Sequence, residues 1–306
     1  MAFGQLTYDD TARREDLLDL ITDVSPDSNP ISTMLDVVEA KQTTHQWLED
    51  YQGRPTSNSG EVEGSDATFA DLTQPSRRTN VTQIIRKTFK VSDTEEAVNV
   101  AGMSSPFDYQ RDKGMRDWKN RLEFALVRST LGSGASGTAQ TMSGIQATVT
   151  SHYTALLSGS SLREADINWM QYAVVNDVGD DDVFDSIFTT LQLRQKISTF
   201  TAGNTRYIDA SDMKLVRKVM VYEGDFGPMK IFGHRDVTSA VATPGPRLLG
   251  LNMKKWKVAY LTGRKPKYTP LAKTGSNTKG MIEGEATLEF LAERANAQMT
   301  GFASQG

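Results

Sequence analysis

"SSPFDYQRDKGMRDWKNRLEFALVRSTLG", residues 104–132, carries the strongest structural pattern in this sequence. Ser105 is a good N-cap residue, and Pro106 suits the first helical position. Apolar side chains then recur at three- and four-residue spacing, at Met115, Trp118, Leu122 and Leu126. Gly132 is a natural helix stop. The pattern predicts one helix over residues 106–131, about 39 Å long at about 1.5 Å per residue, which we call the spine helix.

The residues after this helix contain Gly132, Gly134 and Gly137 at the G-x-G-x-x-G spacing of nucleotide-binding loops. Such a loop works when a strand precedes it and a helix starts at it, so that free N–H groups point at phosphate. Here the glycines follow a helix, and no acidic residue lies between Glu123 and Glu164 to bind a ribose. The pattern favours a helix stop and a flexible loop. A nucleotide-dependent enzyme that uses residues 132–137 is kept as an alternative.

Two triplets resemble protein-kinase signatures, "DFG" at 225–227 and "HRD" at 234–236. In a kinase the "HRD" triplet comes first, and a lysine follows the glycine loop. Here the order is reversed, and the chain has no lysine between Lys119 and Lys196. We therefore interpret "GDFG" as a tight turn between two strands, and "HRD" as the polar end of the second strand.

Composition excludes further classes of chemistry. The 306 residues carry a net charge of -4, which gives no general attraction to nucleic acid or to an anionic membrane. There is no cysteine, and the histidines at 45, 152 and 234 are far apart and not at metal-ligand spacing. Each histidine is interpreted as a surface or strand residue. We predict no catalytic, cofactor or metal site, no membrane segment, and a protein that is not an enzyme.

A long polar segment suggests a hairpin that stands away from the body. Residues 44–52 and 79–91 both read as strands, and a Gly-, Pro- and Ser-rich segment at 53–78 separates them. A structureless loop of this length does not belong inside a compact domain. Its charged residues are candidates for contacts with another chain: Arg54, Glu61, Glu63, Asp66, Asp71, Arg77 and Arg78. Before it, residues 9–23 form a short amphipathic helix candidate with Leu17, Leu20 and Ile21 on one face.

The second half of the chain mixes helices and strands, so the fold class is α+β. Ser161 and Glu164 form an S-x-x-E capping box for a helix. Residues 183–200 favour a strand followed by a helix, and strands are predicted on both sides of "GDFG" and at 254–261. The segment 280–293 alternates apolar residues with Glu283, Glu285 and Glu289, which predicts a closing strand with one wet, acidic face.

Several short motifs, in this order, resemble the major capsid proteins of tailed phages with the Hong Kong 97 fold, and in particular their SU-ten-like branch. They are "NPISTML" at 29–35, a W-x-x-D pattern at 47–50, R-x-N-x-x-Q-I at 78–84, "DFG" at 225–227, "LAKTG" at 271–275 and "GEATLEF" at 284–290. The resemblance implies an N-terminal arm at 1–44, an extended loop at 45–90, a peripheral domain at 91–150 with the spine helix, an axial domain at 151–262, and a peripheral return at 263–306.

The same resemblance implies an architectural function. Copies of such a chain form pentamers and hexamers that close into an icosahedral shell around double-stranded DNA, which the inner face contacts non-specifically. Portal protein, and scaffold or decoration proteins, are implied partners. The location is the virion, after assembly in the cytoplasm of a host bacterium. An encapsulin-like nanocompartment shell and another phage head or tail protein remain alternatives.

Overall fold

A computed structural model describes residues 29–53, 55, 58, 60–66, 69, 74–98, 100, 103–179, 182–200, 221–238 and 245–303. Six α-helices occur in these residues, at Pro30–Met34 (α1), Asp93–Ala97 (α2), Pro106–Arg128 (α3), Ile145–Thr148 (α4), Glu164–Val178 (α5) and Leu191–Phe200 (α6). Thirteen strands accompany them, at Asp36–Ala40 (β1), Thr44–Glu49 (β2), Ser76–Val81 (β3), Gln83–Ser92 (β4), Tyr153–Ser160 (β5), Ser186–Thr189 (β6), Val221–Gly224 (β7), Gly227–Gly233 (β8), Leu248–Leu251 (β9), Trp256–Leu261 (β10), Lys267–Leu271 (β11), Asn277–Phe290 (β12) and Ala297–Phe302 (β13).

The strands form two large sheets and one hairpin. In the first sheet, the long strand β12 pairs antiparallel with β4 along one edge and with β10 and β11 along the other, and β1 adds parallel to β10. The second sheet has the order β5-β13-β9-β6-β8-β7. Strands β2 and β3 pair antiparallel as a separate ladder. This mixture of helices and largely antiparallel sheet confirms the α+β class.

The spine helix packs on the first sheet and shares its core. Trp118, Leu122 and Leu126 are buried on one face of α3, and the Trp118 indole donates a hydrogen bond of 2.8 Å to the Ile85 carbonyl of β4. The prediction of a long helix is confirmed, but its end is wrong. The helix stops at Arg128, because Ser129 is already extended, with φ -61° and ψ 145°. The shorter helix is about 35 Å long.

A second core lies between the six-stranded sheet and helices α5 and α6, which bury Ile167, Met170 and Ile197 against it. Helix α5 is confirmed, but its predicted cap is wrong. The N-cap residue is Arg163, whose backbone N–H donates to the Asp166 carboxylate at 2.9 Å. Glu164, which was expected to close the box, instead accepts a hydrogen bond of 2.7 Å from the Tyr222 hydroxyl.

Most strand predictions are confirmed with shifted ends. The strand at 44–52 ends at Glu49, and the strand at 79–91 is split at Thr82 into β3 and β4. Residues 183–200 form β6 and then α6, and "GDFG" is a turn that joins β7 to β8. The turn needs glycine because Gly227 has φ 119°. The helix candidate at 9–23 lies outside the described residues.

The wet, acidic face predicted for the closing strand is wrong. Glu285 and Glu289 are 6% and 9% exposed, and each has a partner on a neighbouring segment. Glu285 accepts a hydrogen bond of 2.6 Å from the Thr82 hydroxyl, and Glu289 lies 2.7 Å from the His45 ring. Consecutive residues of β12 from Gly284 to Phe290 are buried, so both faces of this part of the strand are covered. It is also not the last strand, since β13 follows it.

The two sheets exchange strands across the predicted domain boundaries. Strand β10 falls inside the predicted axial range of 151–262 but belongs to the first sheet, with β12. Strand β13 falls in the predicted peripheral return but belongs to the second sheet, between β5 and β9. Within the described residues, no helix is long and apolar enough to cross a membrane.

Candidate functional site

The β2–β3 hairpin is the candidate site, and its base is fixed to the first sheet. The Trp47 ring meets Phe290 of β12 edge-on, with ring centroids 4.7 Å apart. The side-chain amide of Asn80 donates to the Leu288 carbonyl at 2.7 Å, and Asn80 is fully buried. The His45–Glu289 contact adds a polar tie to the same strand. The direction of the hairpin is therefore set by β12.

At its outer end the hairpin has a second anchor. The buried Glu49 carboxylate accepts a hydrogen bond of 2.5 Å from the Arg78 guanidinium across the ladder. Its other oxygen accepts one of 3.0 Å from the Glu293 backbone N–H. Arg78, a predicted contact residue, thus already holds an acid of its own chain and is only partly free to meet another.

A third anchor ties Tyr51, two residues after the end of β2, to helix α5. The Tyr51 hydroxyl donates to the Asp177 carboxylate at 2.5 Å, and the Arg294 guanidinium lies 3.9 Å from the centre of the Tyr51 ring. Arg294 also binds Asp177 at 3.1 Å. Burial opposes ionisation of Asp177, but the hydrogen bonds from Tyr51 and Arg294 hold its pKa below its ordinary value. Tyr51 is therefore held by side chains of α5 and of the segment after β12.

Beyond these anchors the described tip residues face solvent. Glu61, Glu63, Asp66 and Arg77 are exposed and form no ion pair with another described residue. Two large apolar side chains accompany them, Val62 at 77% exposure and Phe69 at 94%. Arg54 and Asp71, the remaining predicted contact residues, lie outside the described residues. The tip thus presents both charge and apolar surface that its own described contacts leave open.

The glycine-rich segment forms a small hairpin. Gly132 pairs with Thr141, and Ala135 pairs with Thr138. Gly134 has φ 72°, and a Cβ there would lie 3.2 Å from the Gln140 side chain; Gly137 has φ 82°. Backbone geometry therefore accounts for these glycines. No helix begins at the loop to point N–H groups at a phosphate, so the arrangement needed for nucleotide binding is missing from these residues.

The three histidines each contact one carboxylate. His45 lies 2.7 Å from Glu289, His152 3.3 Å from Asp177, and His234 2.7 Å from Glu123. Among the described residues, no group of three His, Cys, Asp or Glu side chains is placed to hold a metal ion. For His234 the expectation of a surface or strand residue is wrong, because it follows β8 and is 2% exposed.

The contact between His234 and Glu123 belongs to a buried cluster that the sequence pattern did not indicate. The Glu123 carboxylate, on the spine helix, also accepts the backbone N–H groups of Ile31 and Ser32 at 2.9 and 2.8 Å. The Asp236 N–H donates to Nδ1 of His234, so the ring proton lies on Nε2 and is donated to Glu123. Helix α1, the spine helix and the segment after β8 therefore meet at one carboxylate.

The charge state of this cluster follows from its contacts. Burial opposes ionisation of Glu123, but hydrogen bonds from His234, Ser32 and Ile31 outweigh burial and hold its pKa below its ordinary value. A carboxylate that is 1% exposed is thereby kept ionised. It fixes the backbone at the start of helix α1, through Ile31 and Ser32.

Known structures share this fold across nearly all of the chain. The capsid subunit of cyanophage A-1(L) has a TM-score of 0.69 at 12% identity, with 95% of this chain and 98% of that one covered. The encapsulin of the holo-SrpI complex from Synechococcus elongatus has a TM-score of 0.59 at 10% identity, with 99% and 97% covered. A capsid chain of an empty GTA particle gives 0.62 at 12% identity, with 98% of both chains covered. The fold is thus the Hong Kong 97-type shell fold, as predicted.

Sequence comparison gives the family. The major capsid protein of Escherichia phage Phieco32 is 30% identical over 122 residues, which are 40% of this chain and 35% of that relative. The match therefore spans about a third of the relative's length. The SU10 major capsid protein family matches residues 4–303. The chain belongs to the SU10 major capsid protein family.

Proposed function

We propose that this chain is the subunit that self-assembles into the capsid shell of a tailed phage, and that it is a structural protein and not an enzyme. The observation that carries the proposal is the family match over residues 4–303. The described structure is consistent with it, because the hairpin tip leaves open charge and apolar surface that a neighbouring subunit could cover.

The finer features follow from the same proposal. The subunits form pentamers and hexamers of an icosahedral shell that encloses double-stranded DNA, with non-specific contacts on the inner face. A portal protein, and scaffold or decoration proteins, complete the particle, which assembles in the cytoplasm of a host bacterium. We retain the division into arm, extended loop, peripheral domain and axial domain as part of this proposal, with the two sheets crossing its boundaries.

The hairpin tip supplies the contacts between subunits. Three anchors, at Trp47, Glu49 and Tyr51, hold the hairpin on its own chain from its base to just beyond the end of β2. Beyond them, the acidic group Glu61, Glu63, Asp66 and Asp71 meets basic groups of an adjacent subunit, and Arg54, Arg77 and Arg78 take part in the same contact. A single exposed ion pair contributes roughly 0–1 kcal/mol. Because the same contact is repeated around a closed shell, many weak ion pairs together determine how neighbouring subunits align.

Negative-stain electron microscopy of the purified protein tests the proposal. Uniform closed shells, or capsomers that close into shells when the protein is concentrated, are the expected result. A stable monomer under all conditions that favour assembly would overturn the proposal, and open tubes or isolated rings would favour another head or tail protein.

An encapsulin-like nanocompartment is the second candidate, and the similarity to the Synechococcus elongatus encapsulin favours it. Both candidates predict shells, so the contents of the shell distinguish them. Nuclease-protected DNA in particles from infected cells supports the capsid. Particles that carry a co-purifying protein cargo and no protected DNA support the compartment.

A further inference from the structure

Arg247 is an arginine that the described structure leaves without a counter-ion. Several partly buried arginines hold a carboxylate of the chain, as Arg78 holds Glu49 and Arg264 holds Glu283. Arg247 is also only partly exposed, yet it forms no ion pair with any residue that the structure describes, and its buried Nε–H has no hydrogen-bond partner there. A cation that is withdrawn from water without a partner is costly. This position therefore suits an anion that comes from outside the chain.

Three neighbouring strands of the second sheet bring polar side chains beside this arginine. Arg247 directly precedes β9, which pairs with β13. Its guanidinium Nη1 donates a hydrogen bond of 3.3 Å to the side-chain oxygen of Gln298 on β13. On the other side of β13, the Tyr153 hydroxyl of β5 lies 3.0 Å from the Thr300 hydroxyl. Only one of these two hydroxyl hydrogens is used in that contact, so the other can be donated to an anion.

A second guanidinium, that of Arg128, lies nearby. Arg128 ends the spine helix, and the residue after it accepts a hydrogen bond of 2.8 Å from the Gly144 N–H at the start of α4. Gln298 is tied to the same helix, because its amide donates to the Gln146 carbonyl at 3.2 Å. Burial lowers the pKa of Arg247, and the positive charge of Arg128 acts in the same direction. Arginine nevertheless stays charged at neutral pH, so the two cations repel each other.

We propose that Arg247, together with Arg128 and the hydroxyl pair of Tyr153 and Thr300, binds a phosphate group. A planar guanidinium presents parallel N–H groups that match two phosphate oxygens, and such charge-assisted hydrogen bonds are strong. The donors here come from three directions, namely β9, the end of the spine helix and β5. A tetrahedral phosphate accepts donors from several directions, whereas a carboxylate accepts them close to one plane. The site therefore fits a phosphate better than a carboxylate.

The source of the phosphate follows from the proposed function, on which this part of the inference rests. In a capsid shell the packaged double-stranded DNA carries one phosphate per nucleotide, and contacts with its backbone need no particular base sequence. We therefore take the DNA backbone as the source, and free phosphate as the alternative that the experiment separates from it.

Duplex DNA binding by dilute, unassembled subunits tests this inference. The probe is a short fluorescein-labelled duplex, followed by fluorescence anisotropy across a salt series. Arg247→Gln should weaken binding about three- to tenfold and reduce the slope of log Kd against log salt by roughly 0.9, the value for one phosphate contact. Arg247→Lys keeps the charge but loses the planar fork, so its affinity should lie between the two.

Arg77→Gln is the matched control. It removes one exposed arginine that forms no ion pair with another described residue, so the net charge changes by the same amount. Its Kd for the duplex should change less than about twofold, because net charge acts only weakly at this distance and salt. An equal loss of affinity in both variants would reduce the effect to net charge and overturn the site.

Inorganic phosphate distinguishes the two sources. At millimolar concentration it should raise the melting temperature of the natural chain and of Arg77→Gln, but not that of Arg247→Gln, because a ligand that binds the folded state stabilises it. Sodium chloride of the same ionic strength is the blank. If phosphate stabilises the natural chain while Arg247→Gln binds the duplex normally, the site takes free phosphate, and DNA as its source is wrong. No response to either probe would overturn the inference.

Stability separates phosphate binding from a purely structural role. Since the Arg247 charge has no described counter-ion, Arg247→Gln without phosphate should melt at the temperature of the natural chain or above it. A clear loss of stability would show that Arg247 serves the fold and would contradict the inference.

Shell assembly gives the last comparison. Failure of Arg247→Gln to form shells, with unchanged binding of phosphate and DNA, would mean that a neighbouring subunit's carboxylate uses this arginine, and would also contradict the inference. The binding measurements use dilute subunits, so a failed phosphate site leaves the capsid proposal standing. A chain that forms no shells can equally still be tested for phosphate binding.

Discussion

Glu123 shows how a single residue can hold three parts of the chain together. Its carboxylate is buried on the spine helix and accepts hydrogen bonds from Ile31, Ser32 and His234. A buried carboxylate is costly unless such donors surround it. The donors come from segments that are far apart in the sequence. We therefore expect this residue to be more important for folding than its place in a helix suggests.

Replacing Glu123 by Gln should destabilise the unassembled subunit by about 2–3 kcal/mol, because an amide N–H then faces a backbone donor and leaves it unsatisfied. The size of this destabilisation should also depend on pH. Since the folded pKa of Glu123 is lowered, its stabilisation is complete above the unfolded pKa of about 4.3 and disappears as the pH falls through the folded value. Urea denaturation of the wild-type and Glu123→Gln proteins measures this effect. The difference between their free energies of unfolding should become smaller as the pH falls below about 4.3.

Glu61→Gln is the matched control, because Glu61 is exposed at the hairpin tip, and its free energy of unfolding should change by less than about 0.5 kcal/mol. A difference between wild type and Glu123→Gln that stays constant with pH would contradict the assigned charge. Equal stability of the two proteins would contradict the role of the cluster.

The residues that the sequence pattern misjudged share one cause. Glu285, Glu289 and His234 are polar, so they were expected at the surface, yet each is buried beside a partner from a distant segment. Alternation along a strand tells which residues share a face, but not whether a second layer or another strand covers that face. A buried ion pair can be predicted only when both partners are known to meet.

At the level of helices and strands, local sequence patterns predicted most of the elements correctly. Ser105 and Pro106 correctly mark the start of the spine helix, and the β-branched and aromatic residues of β2, β4 and β10 mark strands. The ends of the helices and strands were predicted less accurately, because they depend on tertiary contacts. The spine helix, for example, stops before Gly132, and Gly132 pairs with Thr141 in the small hairpin. The pairing of β2 with β3 on either side of the long polar segment could be predicted, but the anchors of that hairpin could not.

Deletion of residues 56–74 tests the hairpin as an element. The three anchors lie outside this segment, so we expect folded subunits whose circular dichroism and melting temperature are close to those of the full chain. Stable shells should be absent, because the proposed contact of the tip with the neighbouring subunit is then lost. Sedimentation and negative-stain microscopy measure this result.

The matched control for the deletion replaces 56–74 with a Gly/Ser segment of the same length. It keeps the reach of the loop and removes its charges and apolar side chains. If intact particles form from the deleted chain, the interlocking role of the hairpin is wrong. If they form from the Gly/Ser chain alone, length matters and side-chain chemistry does not.

At the scale of the whole molecule, the proposed shell contacts are electrostatic and should respond to salt. Reversing three tip charges together, with Glu61→Lys, Glu63→Lys and Asp66→Lys, should weaken each subunit contact by about 1–3 kcal/mol at low ionic strength. The effect should shrink as salt rises, because the Debye length falls from about 10 Å at 0.1 M to about 3 Å at 1 M. Light scattering across a salt series measures assembly.

Neutral replacements at the same positions, Glu61→Gln, Glu63→Gln and Asp66→Asn, are the control and should give an intermediate salt response. Two results together would contradict the proposed role of the acidic tip in the subunit contact. They are assembly of the natural chain that does not change with salt, and normal assembly of the charge-reversed chain. The intrachain stability should be similar in all three proteins, since these side chains are exposed.

The position of β13 in the second sheet has a consequence for synthesis on the ribosome. Strand β5 ends at Ser160, and its partner β13 begins only at Ala297, yet β13 lies between β5 and β9. While the intervening residues are being translated, β5 has no neighbour and β9 lacks one of its two, so both present open edges. The second sheet can close only after residue 302 has left the ribosome. A nascent chain therefore cannot join a growing shell early, and its slowest step should be the late insertion of one central strand.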